Sequence, residues 1–194
     1  MKKFICVLSI IAILFSLCSC GSKEASIENS KDNSTTVSNS SKDVKAKKTN
    51  KKKTALTKND FENIAKKYSF ETLKATYGSS SNIYWPNFKT ATEAKNELIS
   101  VLFFENNDES QAQTNFDTAK KIIYGQTHNK YYELEAESEE IGKNYTIYTS
   151  KISGYYYAAI IIDSTVIVVM ARLTSSTSET TMNTVDTLLK DFGF

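Results

Sequence analysis

The sequence predicts an α+β fold: a mainly antiparallel sheet with three helices packed over it. Three observations carry that expectation. Apolar residues recur at helical spacing in three separate stretches, each behind a polar capping signature. The segments between them alternate, or run almost continuously apolar, as strands do. The order is helix, strands, helix, strand meander, helix, without the regular alternation that builds a parallel sheet.

The first helix opens at Thr57-Lys58-Asn59-Asp60, which has the shape of a capping box with an acid in the third position. Phe61, Ile64, Ala65 and Tyr68 then repeat on one face. Three strand-like runs follow at 70–77, 83–90 and 97–105, separated by Gly78-Ser79-Ser80-Ser81 and by a polar stretch near Thr92. Pro86 has no amide donor, which places the middle run at a sheet edge or in a loop. The second helix is capped by Asp108 with Gln111 answering. It lines one face with Ala112, Phe116, Ala119 and Ile123 and is expected to end at Gly125.

A meander follows. In 131–136, Tyr132, Leu134 and Ala136 take one face and Glu133, Glu135 and Glu137 the other. Residues 145–151 alternate similarly. Residues 155–162 and 165–173, joined at Asp163-Ser164, are almost continuously apolar and belong in mid-sheet with both faces covered. Ser176-Thr177-Ser178-Glu179 opens the last helix as a further capping box, and Met182, Val185, Leu189 and Phe192 form its packing face. The segments at 61–67 and 116–121 look alike and each precedes strands. A duplicated helix-plus-meander unit is one reading of that likeness, and two unrelated helices are the other.

A chain of 194 residues suits one ordinary domain with a remainder. Of 22 aromatic residues, 20 lie between Phe61 and Phe194, which places the domain at 58–194. Residues 21–57 hold no aromatic residue and carry nine Lys against four acids, in a Ser-, Thr- and Asn-rich context. Such a stretch buries too little to offset its chain entropy and is expected to be a disordered tether. Its lysines, densest at 45–53, suit either an anionic lipid surface or a solubilising spacer. The domain itself is mildly acidic, with thirteen Lys and Arg against eighteen acids, which argues against nucleic acid as a partner.

Lys2 and Lys3 precede an apolar run of 14 residues at 4–17. A membrane span needs about 20 such residues, so the run reads as a secretory signal segment, residues 1–19. Leu17-Cys18-Ser19-Cys20 resembles the lipobox of bacterial lipoproteins. That resemblance implies that Cys20 becomes the mature N-terminus and carries a diacylglycerol. Cys18 is the poorer candidate because Leu17 directly precedes it. All three cysteines (6, 18 and 20) lie in this leader, so the domain has no thiol for a disulfide. In layout the chain is similar to small lipoproteins of Gram-positive anaerobes, and 23 Lys against one Arg suits an AT-rich genome. By that resemblance the protein is a membrane-anchored, extracytoplasmic lipoprotein whose lipid partner is reached through Cys20.

Candidate chemistry is sparse. His128, the single histidine, sits in a segment that reads as an exposed loop, with no G-x-S-x-G elbow to supply a nucleophile. Glutamates 133, 135, 137, 139 and 140 read as a solvated strand face, since no D-x-D-x-D-G calcium loop accompanies them. No catalytic, metal or cofactor residue is therefore assigned. Tyr84-Trp85, Tyr131-Tyr132 and Tyr155-Tyr156-Tyr157 remain. They suit a sugar ring, a peptide or a protein partner, or else they fill a core covered on both sides. Trp85 is the candidate ligand contact. The expected function is a non-catalytic binding module for an extracytoplasmic protein or glycan. The alternatives are a small hydrolase of envelope polymers and a purely structural envelope protein.

Overall fold

A computed structural model of the chain describes residues 46–74 and 88–194. The expected signal segment, Cys20, most of the tether, and Tyr84-Trp85-Pro86 lie outside the described residues. So do 83–87 and the later part of the run at 70–77.

The described chain is α+β: three helices and a sheet of eight strands. In chain order these are β1 (Lys47–Lys48), α1 (Lys58–Lys67), β2 (Glu71–Lys74), β3 (Thr90–Lys95) and β4 (Ile99–Glu105). They continue as α2 (Glu109–Thr127), β5 (Leu134–Ile141), β6 (Tyr145–Ile152), β7 (Tyr155–Ile162), β8 (Thr165–Arg172) and α3 (Ser178–Asp191). The sheet order is β1-β5-β6-β7-β8-β4-β3-β2, antiparallel throughout except where β1 runs parallel to β5.

The two most apolar strands, β7 and β8, take the middle, joined at Asp163-Ser164 with Ile162 opposite Thr165. Asp163 adopts φ 50°, a left-handed conformation that a short polar side chain tolerates better than most. Helices cover both faces. On one, Phe61 and Ala65 of α1 and Val185, Leu188 and Phe192 at α3 pack over Val101, Phe103, Ile160 and Ile167. On the other, Ala112, Phe116, Ala119 and Ile123 of α2 pack over Phe104, Tyr148, Ala159 and Val166. The antiparallel pair β4–β8 joins the two meanders, and a two-fold relating them would put α1 and α2 on one face. They lie on opposite faces, so the likeness at 61–67 and 116–121 marks two separate helices.

Helix starts vary in their match to the sequence signatures. Thr57 and Asp60 form the complete box: Asp60 N–H donates to Thr57 Oγ1 at 3.2 Å and Thr57 N–H to Asp60 Oδ2 at 3.1 Å. Asp108 caps α2, accepting from Gln111 N–H at 2.8 Å, while the Gln111 amide oxygen accepts from Asn107 rather than closing the box. At α3 no side-chain cap forms, because the Thr177 hydroxyl is paired with that of Thr174 at 2.6 Å. Gly125 does not end α2. A mid-helix glycine costs only about 1 kcal/mol, and the helix runs on to Thr127 with His128 as its C-cap.

Two strand readings change. The polar stretch near Thr92 is not a separator but β3, whose small Ala91, Thr92 and Ala94 are buried. On β5 the register slips between Leu134, opposite Ile152, and Ala136, opposite Lys151. This bulge at Glu135 puts Leu134, Glu137 and Glu139 on the α2 face, so the acids do not form one solvated face.

The boundary at Thr57 also moves. Lys47 and Lys48 pair with Glu140 and Ile141, Thr49 N–H donates to Ile141 O at 2.9 Å, and Lys143 N–H to Lys51 O at 2.8 Å. Asn144 clasps Lys53 at both ends, accepting from its N–H at 3.0 Å and donating to its carbonyl at 2.9 Å. The same amide donates to Asp163 at 3.0 Å. The Lys53 ammonium donates to Gly193 O and sits over the rings of Phe194 and Tyr145 at 4.4 and 5.2 Å. Ala55 and Leu56 pack on the α1 side. Lysine-rich sequence reads as solvated, yet this strap is held by backbone pairing and by one cation between two aromatic faces.

Candidate functional site

Three consecutive tyrosines open β7, and the pleat sends neighbours to opposite faces. Tyr156 enters the core beneath α1 and α3. Tyr155 and Tyr157 stand on the α2 face, each half-buried, with ring centroids 6.0 Å apart and planes 24° from parallel. Tyr132, from the loop between α2 and β5, meets Tyr155 edge-on at 6.5 Å. The sheet register brings further apolar residues to the same place. Leu134 lies opposite Ile152, which lies opposite Tyr155, and Met170 lies opposite Tyr157.

Tyr124, Tyr131, Tyr132, Leu134 and Met170 are the exposed large hydrophobic residues among those described, and Tyr131 protrudes furthest at 77 % exposure. All belong to one corner, where α2 and β8 end and β5 and β7 begin. Burial pushes the phenols of Tyr156 and Tyr157 up to about 12. Asp186 adds to the effect on Tyr156, and the neighbouring Tyr155 and Tyr132 add to that on Tyr157.

These shifts fix the sign of an alkaline effect. The folded chain keeps phenolic protons that the unfolded chain gives up above pH 10, so their contribution to stability is full below pH 10. It is lost as pH rises toward 12. Urea unfolding across that window should show a falling midpoint, steeper than in a Tyr156→Phe variant.

Next to the corner, a polar latch ties the end of α2 to the sheet. Because of the β5 bulge, Glu137 turns inward, where its carboxylate accepts from the Tyr148 hydroxyl and lies 3.5 Å from His128 Nε2. Burial first, and the Glu137 carboxylate second, push the Tyr148 phenol well above its ordinary range. Lys120 reaches over the Tyr148 ring to Glu139 at 2.5 Å. His128 stacks on Tyr124 with ring centroids 3.8 Å apart, and its Nδ1 lies 3.1 Å from Thr127 Oγ1.

Hydroxyl, imidazole and carboxylate thus fall in line, but the hydroxyl is buried and donates to Ile123 O at 2.9 Å. It is out of reach of a substrate, and the chain of groups works as a clasp. The histidine was visible in the sequence. Its partners were not, because only the bulge brings Glu137 to it.

A cleft of about 340 Å³ lies at the opposite end of the sheet. Glu109 and Gln113 of α2, the turn 142–144, Thr146, Ile161 and Asp163 line it. The Asp163 carboxylate there is held by Asn144 through both oxygens. Among the described residues no group of three or more His, Cys, Asp or Glu side chains is placed to hold a metal ion. No helix among them is long and apolar enough to cross a membrane. Comparison with protein-family models, with curated proteins and with solved structures finds no match for the chain.

Proposed function

We propose that the protein is a lipoprotein anchored through Cys20 to the outer face of the cell membrane, and that its domain is a non-catalytic binding module. The observation that supports the module is the aromatic corner. Monomeric proteins seldom leave contiguous apolar surface uncovered without a partner for it, and tyrosine serves binding surfaces well because it combines a flat face with a polar tip. The partner is an extracytoplasmic molecule met at that corner, with Trp85 as a further proposed contact. Tyr132→Ala and Tyr155→Ala should weaken capture of the partner while leaving urea unfolding within about 0.5 kcal/mol of the parent. A loss of several kcal/mol would make the tyrosines structural.

The anchor is tested separately. Cys20→Ala should abolish metabolic lipid labelling and release the protein into the medium or leave it as uncleaved precursor. Normal labelling and detergent-phase partitioning of that variant would refute the anchor.

A second reading, a small hydrolase of envelope polymers, is favoured by the carboxylates of Glu109 and Asp163 in one cleft. On that reading, Glu109→Gln would abolish hydrolysis of cell-wall glycan with no change in unfolding. Absence of hydrolysis by the parent chain removes it.

A further inference from the structure

We infer that His128 and Glu137 form an acid-closed latch. With His128 protonated, the end of α2 and the loop carrying Tyr131 and Tyr132 are held to the sheet, and loss of that proton frees them. This adds a regulation to the aromatic corner and rests on the binding-module reading for its use.

Hydrogen bonding at the imidazole carries the inference. The Thr127 hydroxyl gives its proton to Ile123 O at 2.9 Å, so its oxygen, 3.1 Å from His128 Nδ1, is left to accept. Nδ1 must then hold a hydrogen. Nε2 lies 3.5 Å from the Glu137 carboxylate, which also accepts. A neutral imidazole has one N–H, so it serves one of these contacts and turns a bare lone pair toward the other. The imidazolium serves both. Two further neighbours favour the cation. The ring stacks on Tyr124 with 3.8 Å between centroids and 12° between planes, and the face of a phenol ring attracts positive charge. His128 is also the C-cap of α2, whose last turn holds no basic residue, so its charge meets the partial negative charge at the carbonyl end.

The other groups facing the latch are engaged or neutral. Glu139 of β5 pairs with Lys120 of α2 at 2.5 Å. From β6, Tyr148 donates to Glu137, and Ser150 lies opposite Glu137. From β7, Tyr157 lies opposite Ser150 as a protonated phenol. Lys121 and Glu133 are exposed, and Lys130 lies over the Tyr131 ring at 5.2 Å. The Glu137 side chain is only 6 % exposed, which shields the pair from the screening that weakens surface ion pairs. Histidine ordinarily changes charge between about pH 5 and about pH 8, so the latch is closed in mild acid and opens as the pH rises through that window.

What the latch controls comes next in the chain. Asn129 ties the loop to α2, its Nδ2 donating to Gln126 O at 2.5 Å and its Oδ1 accepting from Tyr131 N–H at 2.9 Å. Tyr132 follows and meets Tyr155 edge-on. Helix end and loop are thus one piece, and the contact between His128 and Glu137 is its polar tie to the sheet. Opening takes Tyr131 and Tyr132 out of the corner.

His128 is the single histidine of the chain, so its ring nitrogens are read without ambiguity. In the ¹⁵N-labelled chain from Gly21 to Phe194, which contains the whole described domain, long-range ¹H–¹⁵N spectra should show both nitrogens protonated in mild acid. Backbone order parameters at Lys130, Tyr131 and Tyr132 should be about 0.85 at about pH 5 and fall below about 0.6 at about pH 8, with the midpoint of the ring titration. Glu137→Gln should move both transitions to lower pH together, and His128→Gln should remove the pH dependence of the loop.

A ring that stays neutral throughout with its hydrogen on Nε2, and Thr127 turned to donate to Nδ1, overturns the latch. So does a loop whose order is unchanged while His128 titrates, or a Glu137→Gln variant that keeps the parent profile. The first two outcomes need only the parent chain, so they decide the matter even where a variant does not fold. None involves a ligand, and the binding-module reading stands or falls separately on Tyr132→Ala and Tyr155→Ala.

Discussion

Phe103→Ala is expected to lower the unfolding free energy by about 3–5 kcal/mol, the cost of emptying a well-packed aromatic site. Phe103 is fully buried on β4, the strand that links the two meanders through β8. Its ring lies 4.8 Å from that of Phe61 on α1, which in turn lies 6.0 Å from Phe192, so Phe103 reaches the end of α3 through Phe61. Neighbours on both sides are held by strands that cannot shift together, and the cavity will not close. Two-state urea unfolding measures the loss. A change below about 1 kcal/mol would mean that α1 and α3 repack over the sheet without it.

The second large effect concerns the strap. A chain beginning at Ala46 should be as stable as one beginning at Gly21, whereas a chain beginning at Ala55 should lose about 2 kcal/mol. The shorter chain forfeits the backbone bonds of Thr49 and Lys51 and both bonds between Asn144 and Lys53. Each contributes about 1 kcal/mol net, less the entropy of ordering the strap. Asn144 would also lose its hold on the strap while still tied to Asp163. Equal unfolding midpoints for the chains starting at Ala46 and Ala55 would show that the strap adds nothing.

Much of the architecture was legible in the sequence, and the reasons are specific. Residues 155–162 and 165–173 are so uniformly apolar that only a mid-sheet position can accommodate them, and they occupy it. Ala112, Phe116, Ala119 and Ile123 recur at helical spacing and form the face that α2 buries. What escaped lies in features that hydrophobic periodicity does not encode. β3 is built of Thr and Ala because small residues suit the places where it packs beneath its neighbours, and such a strand reads as polar. The β5 bulge at Glu135 is a one-residue slip with no compositional mark, yet it decides which glutamates meet Tyr148 and His128. The strap escaped because lysine is counted as a solvated residue, whereas Lys53 settles between Phe194 and Tyr145. At the corner, the alternation of Tyr155, Tyr156 and Tyr157 could be read in advance. The arrival of Tyr132, Leu134 and Met170 beside them depends on sheet register.

The parallel run of β1 beside β5 has a mechanical consequence. Force transmitted through the polypeptide ahead of Ala46, along the line of β5 toward Leu134, loads the Lys47–Lys48 pairing, the Thr49 and Lys51 bonds and the Lys53 clamp in shear. They share that load and must rupture nearly together. Force at right angles to the sheet would peel them one at a time, starting at Lys47. The domain therefore resists being dragged along its own long strands better than being lifted off them, and the first structure to yield under either pull is the strap, with both helical layers still closed over the sheet.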